Sequence, residues 1–138
     1  MVNKLKKGLL GSLVFFIGGL WLSISMAMPL FTVESNLEIV RFSWLGLPII
    51  GAFAFTGLFG AVVVALVLSL MQGKQIMRSA KFVLIPAMLM GFLGAGVNYA
   101  NYHFVIKPMG LVACPKMAGY GKNLLIDYVK NIDSCQPD

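Results

Sequence analysis

WLGLPIIGAFAFTGLFGAVVVALVLSLM, residues Trp44 to Met71, carries no charged side chain, and the charge-free run around it reaches from Phe42 to Gly73. A helix crosses the hydrocarbon core of a bilayer in about 20 apolar residues, at about 1.5 Å of rise per residue. This stretch exceeds that length. So do two others, Gly8 to Phe31 and Phe82 to Ile106, which are equally free of Asp, Glu, Lys and Arg.

Composition agrees. Of 138 residues, 59% are hydrophobic and 12% charged, against a charged share of about 25% in ordinary soluble domains. So short a soluble chain has too much surface to cover with so few charges. The reading is an all-α membrane protein of three transmembrane helices, with spans over residues 8–31, 44–71 and 82–106. Residues 1–106 then make one bundle and residues 107–138 a C-terminal cap.

The net charge of +6 does not indicate a nucleic-acid partner. Lys4, Lys6 and Lys7 precede the first span, and Lys74, Arg78 and Lys81 lie between the second and third. Basic residues flanking spans follow the positive-inside rule, whereas a nucleic-acid surface needs a basic face on a soluble element. The N-terminus is therefore expected inside and the C-terminal tail outside. Arg41, Lys107, Lys116, Lys122 and Lys130 oppose that orientation, moderated by Asp127, Asp133 and Asp138.

A cleaved leader is an alternative for the first span, with KLKK as its basic region and Ser25-Met26-Ala27 as a cleavage site. The apolar run continues through Met28, Leu30 and Phe31, with Pro29 just past the cut, so an uncleaved anchor is the reading taken. Either choice leaves the following segment outside.

Cys114 and Cys135 are the only cysteines. In an oxidising compartment they have one obvious partner, each other. A bridge closing a loop of about 20 residues removes roughly 3 kcal/mol of unfolded-state entropy, so the cap is expected to be disulfide-stapled. Inside it, Leu124, Leu125, Tyr128, Val129 and Ile132 are spaced as one face of a short amphipathic helix, after the turn-forming Ala118-Gly119-Tyr120-Gly121.

Three stripes repeat small residues every four positions: Gly19-Ser23-Ala27, Gly57-Ala61-Ala65 and Ala87-Gly91-Ala95. Such stripes let helix backbones approach closely, and one per span favours a compact bundle. GFLGAG, residues 91–96, lies mid-span rather than after a strand, so packing explains it better than nucleotide binding does.

Catalytic and metal motifs are missing from the sequence. His103 has no acidic neighbour, no carboxylate lies inside a span, and nothing has the form of HExxH or a nucleophile elbow. No cofactor is expected. LVAC at 111–114 lacks an adjoining apolar leader, and the terminal CQPD is no prenylation box. A stand-alone ion-coupled transporter would keep an ionisable residue near the midplane. A surface for binding a protein partner is therefore expected on the outer side: Glu34, Glu38 and Arg41 in the outer loop, Asn98, Asn101 and His103 at the rim of span three, and Lys122 in the cap. Loops carry function more often than spans.

The tail carries a resemblance as well. NYANYHF at 98–104, Pro108, Gly110, Cys114-Pro115-Lys116, Tyr128-Val129-Lys130 and Cys135 resemble small three- or four-pass bacterial inner-membrane proteins grouped as domains of unknown function. In size and layout the chain is also similar to membrane immunity proteins, which protect a toxin producer from its own pore-forming toxin. That likeness implies a bacterial inner-membrane location, a periplasmic C-terminus and a non-enzymatic role by contact with a toxin. An accessory subunit of a larger transporter or membrane enzyme is the alternative. Implied partners are the lipid bilayer, a protein, and a second copy of the chain in a homo-oligomer.

Overall fold

The computed structural model describes residues 2–32, 39–74, 76, 79–115 and 125–135. Helix α1 runs over Val2–Ala27 and ends in a single 3-10 turn, Met28–Leu30, where Pro29 cannot extend the α-helical ladder. Helix α2, Leu47–Gln72, follows Gly46 and stops at Gly73, both in the left-handed conformation that a side chain resists. Helix α3, Lys81–Ala100, starts early enough that Pro86 lies in its second turn. Its last turn, Asn101–Ile106, widens into a π turn in which Lys107 N donates to Tyr102 O at 2.9 Å. All three helices are long and apolar enough to cross a membrane by length and composition.

The helices form a row with α2 in the middle. α1 and α3 each pack along it and meet one another sparingly. Neighbouring residues of α2 face opposite ways. Thr56 meets α1, accepting the Ser23 hydroxyl at 2.9 Å, while a Cβ on Gly57 would come within 2.6 Å of Pro86 O in α3. The Thr56 hydroxyl hydrogen goes to Ala52 O at 2.9 Å, which fixes Ser23 as the donor. Of the small residues, Gly19, Ser23, Gly57, Ala61, Ala65, Ala87 and Gly91 are buried, whereas Ala27 and Ala95 are half-buried. Gly94, one position from Ala95, makes the close approach instead: its Cβ would lie 2.9 Å from Phe53 Cβ. At the far end, Ser69 donates to Ala65 O at 2.7 Å and accepts from Ile76 N at 3.1 Å, tying the α2–α3 connection to the helix.

The cap is not a helix, and the fold is not all-α. Strands β1 (Ile39–Phe42), β2 (Val112–Ala113) and β3 (Ile126–Val129) form an antiparallel sheet in the order β1-β3-β2. The segment expected as an amphipathic helix supplies the central strand, with Val40 opposite Tyr128 and Phe42 opposite Ile126. The outer loop, expected to face a partner, supplies an edge strand. Val40, Phe42 and Tyr128 pack on Val105 and Ile106 at the end of α3, with Leu30, Tyr102, Met109, Leu111 and Ile126 around them. This small core is what makes a strand of the tail. Tyr128 and Val129 are adjacent and both buried, one on each face of the sheet. In sequence, that two-sided burial reads as a helical stripe. Leu124 lies outside the described residues.

A disulfide joins Cys114 to Cys135, with Cα atoms 5.7 Å apart. Cys114 follows β2 and donates its N–H to Asp127 O at 2.9 Å, and the 3-10 turn Ile132–Ser134 brings Cys135 back. Replacing both cysteines with serine should lower head stability by about 3 kcal/mol, because the loop-closure constraint on the unfolded chain is lost. The check is limited proteolysis: cleavage should become faster in the residues that the bridge encloses. In thiol-blocked membranes, the unmodified protein should take up maleimide only after reduction.

Candidate functional site

The polar and aromatic side chains converge where the helices meet the sheet. Asn98 is fully buried and treats Ser43 as one strand treats another. Its Oδ1 accepts Ser43 N–H at 3.2 Å and its Nδ2 donates to Ser43 O at 2.7 Å. One amide thus fixes the end of β1 to α3. Gly46 N closes the connection by donating to Ser43 O at 3.1 Å. Three residues on, Asn101 is also fully buried and donates Nδ2–H to Met26 O at 2.8 Å, joining the end of α1 to α3. Its Oδ1 is the buried side-chain polar atom without a hydrogen-bond partner among the described residues.

Aromatic rings surround this joint. Phe42 is fully buried, and its ring centroid lies 4.9 Å from Tyr102, 5.2 Å from Trp44, 6.2 Å from Tyr128 and 6.4 Å from Tyr99. Trp44 and Tyr102 touch as well, at 5.5 Å, and Tyr99 Oη donates to Trp44 O at 3.3 Å. Phe42 is the hub of the cluster, and its place beside an arginine in a short loop gave no sign of that. The signal that could have found it is the β-branched and aromatic content of Ile39-Val40-Arg41-Phe42, which favours a strand.

Burial and the neighbouring Tyr102 push the Tyr128 phenol above its usual pKa of 10.0. The raised value belongs to the folded state, so unfolded chains lose this proton first. The contribution of Tyr128 to stability is then whole below the unfolded value and falls as pH rises past it. In a spectrophotometric titration Tyr128 should ionise late, and a Tyr128→Phe protein should keep its head structure to higher pH.

The residues expected to face a partner divide. Arg41 stands on the outer face of β1, where its Nε lies 3.5 Å from Asp127 Oδ1, directly across on β3. Both ends of this pair are substantially exposed, so it adds at most about 1 kcal/mol. His103 is exposed and meets Tyr102 edge-on at 5.4 Å. Asn98 and Asn101 do not form an exposed rim, because both are fully buried, the first holding the end of β1 and the second the end of α1. Glu34, Glu38 and Lys122 fall outside the described residues. Among the described residues no three His, Cys, Asp or Glu side chains gather as metal ligands would. No family model, curated protein or solved structure matches the chain.

The arrangement is a three-stranded head fixed to the helix ends by the Asn98 amide at the end of β1 and by an aromatic hub, with a second amide tying α1 to α3 and a disulfide closing the head on itself. Chemically, it presents a fixed surface.

Proposed function

We propose that this chain is an integral protein of the bacterial inner membrane that works by protein–protein contact, without catalysis, and that it is an immunity protein neutralising a membrane-targeting toxin. In this reading the three helices cross the bilayer, the N-terminus is cytoplasmic, and the head and C-terminus are periplasmic. The observation that carries the reading is the joint: the buried amide of Asn98 fixes the end of β1 to α3, and that of Asn101 ties the end of α1 to α3 beside it. A surface held in one shape loses little freedom when a partner docks. Two features support the orientation. Lys4, Lys6, Lys7, Lys74 and Lys81 lie at the ends away from the head, and the disulfide suits an oxidising compartment.

Topology and role are tested separately. A reporter active only in an oxidising compartment should work when fused after Asp138 and be silent at Gly73; the reverse pattern removes the orientation. For the role, co-expression with the toxin encoded beside this chain should restore growth. Ile132→Lys on the exposed head, or Glu38→Lys, should weaken the rescue at unchanged membrane levels. Absence of any such toxin, or failed rescue, rejects immunity.

One observation favours a second reading, an accessory subunit of a larger membrane complex. The outer faces of α1 and α3 are broad and apolar, with Trp21 75% and Phe92 71% exposed. Loss of a neighbouring transport system on deletion of this chain would support it.

A further inference from the structure

Helix α1 stands at one end of the row, so its side turned away from α2 has no neighbouring helix among the described residues. On that side Gly11, Val14, Gly18, Trp21, Ser25 and Met28 are all exposed, at intervals of 3, 4, 3, 4 and 3 residues. That is the a and d spacing of a heptad, at which two helices keep one seam in contact as they supercoil. Size alternates along it. Gly11, Gly18 and Ser25 are small, and a Cβ on either glycine would meet nothing within 4 Å. Val14, Trp21 and Met28 are large, and each is at least 60% exposed. Gly19 and Ser23, which pack on Thr56 of α2, lie on a different side of the helix.

Trp21 is the residue out of place in lipid. Ser23 bonds Thr56, nine residues below Leu47 in α2, which is about 14 Å at about 1.5 Å per residue. In a hydrocarbon core about 30 Å thick, Trp21 therefore lies close to the midplane, well below Trp44 and Tyr102 at the head. Membrane tryptophans favour the headgroup level, where ring and N–H are both accommodated. Lipid offers no acceptor at the midplane, and among the described residues this indole N–H has none.

We propose that α1 pairs along this seam with α1 of a second copy of the chain. Both copies enter the membrane in the same direction, so the pair is parallel and two-fold symmetric. In such a pair each d residue is a knob in a hole of four residues on the facing helix, two of them at a positions. For Trp21 the hole is Gly18, Trp21, Leu22 and Ser25 of the second copy. The two small a residues leave the room that an indole needs. Ser25 also supplies the acceptor. Its Oγ–H is donated to Leu22 O at 2.8 Å, which leaves the oxygen lone pairs to accept. Symmetry makes the same bond twice. A lipid chain fills the notches but not the hydrogen bond, and an unrelated helix would need only one half of this donor and acceptor pair. The inference rests on the helices lying in a bilayer, as proposed above, and is independent of the immunity role.

The test is disulfide cross-linking of the full chain in native membranes, with one cysteine introduced at a time, since Cys114 and Cys135 already pair. On mild oxidation Val14→Cys, Gly18→Cys and Ser25→Cys should each give a product of twice the chain's mass. Ile17→Cys and Ile24→Cys should give almost none, although these positions are exposed as well. Trp21→Phe keeps a ring and removes the N–H; in detergent sedimentation it should weaken the dimer about eightfold, the effect of two interhelical hydrogen bonds in a membrane. Gly18→Leu should abolish the dimer by filling the notch, whereas Gly96→Leu, at an equally open glycine of α3, should leave it intact. Equal yields on and off the seam would mean chance collision and overturn the pairing. A seam that cross-links to no second copy is covered by lipid or by another protein, and either result overturns it. So would a dimer untouched by Gly18→Leu, whose contact lies elsewhere. Extraction into buffer without detergent would remove the membrane reading and the pair together. An embedded monomer would remove the pair alone.

Discussion

Gly57→Ala should destabilise the helix row by about 1–3 kcal/mol, whereas Gly91→Ala should stay within about 0.5 kcal/mol of the unmodified protein. The two glycines belong to matching stripes on facing helices and look equivalent in sequence. They differ in what lies above them. A Cβ on Gly57 would stand 2.6 Å from Pro86 O and 2.7 Å from Met90 Cγ. The methionine can move, but the carbonyl belongs to helix backbone and cannot yield without shifting α3. A Cβ on Gly91 would meet Ile50 Cγ2 at 3.5 Å and Ala54 Cβ at 3.6 Å, which is ordinary contact. Leucine should be harmful at both positions, so alanine is the discriminating change. Thermal unfolding in detergent, read by far-ultraviolet circular dichroism, provides the comparison. Equal midpoints for the two alanine variants would mean that α2 and α3 sit farther apart than described.

The contrast shows where sequence pattern stops. Charge-free runs marked three apolar helices because length and the cost of burying charge are local properties of a segment. The same pattern brought Gly57, Ala61 and Ala65 to a buried face of α2. It could not say that Gly94 rather than Ala95 completes the face of α3, because one residue turns a helix by about 100° and only the partner decides which side is covered. The head was harder still. β3 is a strand only because Ile39–Phe42, far away in the chain, pairs with it and the end of α3 supplies a floor. Taken alone, Leu125, Tyr128, Val129 and Ile132 fit helical spacing. The cysteine pair was readable since only one partner exists for each, but what the bridge holds, a β-sheet edge, was not. Asn98 and Asn101 were noticed as polar residues at a helix end, and their work as internal fastenings depended on backbone groups that no spacing rule reveals.

Those two asparagines give the sharpest test of the joint. Asn98→Leu should cost about 2–4 kcal/mol, because two buried hydrogen bonds to Ser43 are lost together and the strand end is left without that amide. Asn101→Leu should cost less than about 1 kcal/mol, although the residue is equally buried. Here one hydrogen bond, to Met26 O, is lost, while an acceptor that has no donor is removed at the same time. Burying an unpaired carbonyl is unfavourable, so its removal offsets the loss. The consequences should also differ in place. Asn98→Leu should speed hydrogen exchange in β1 and β3, since the sheet loses its fastening to α3. Asn101→Leu should change exchange only near the end of α1. Equal destabilisation by the two changes would show that Asn101 Oδ1 does have a donor in the folded protein. The joint would then extend to a group beyond the described residues.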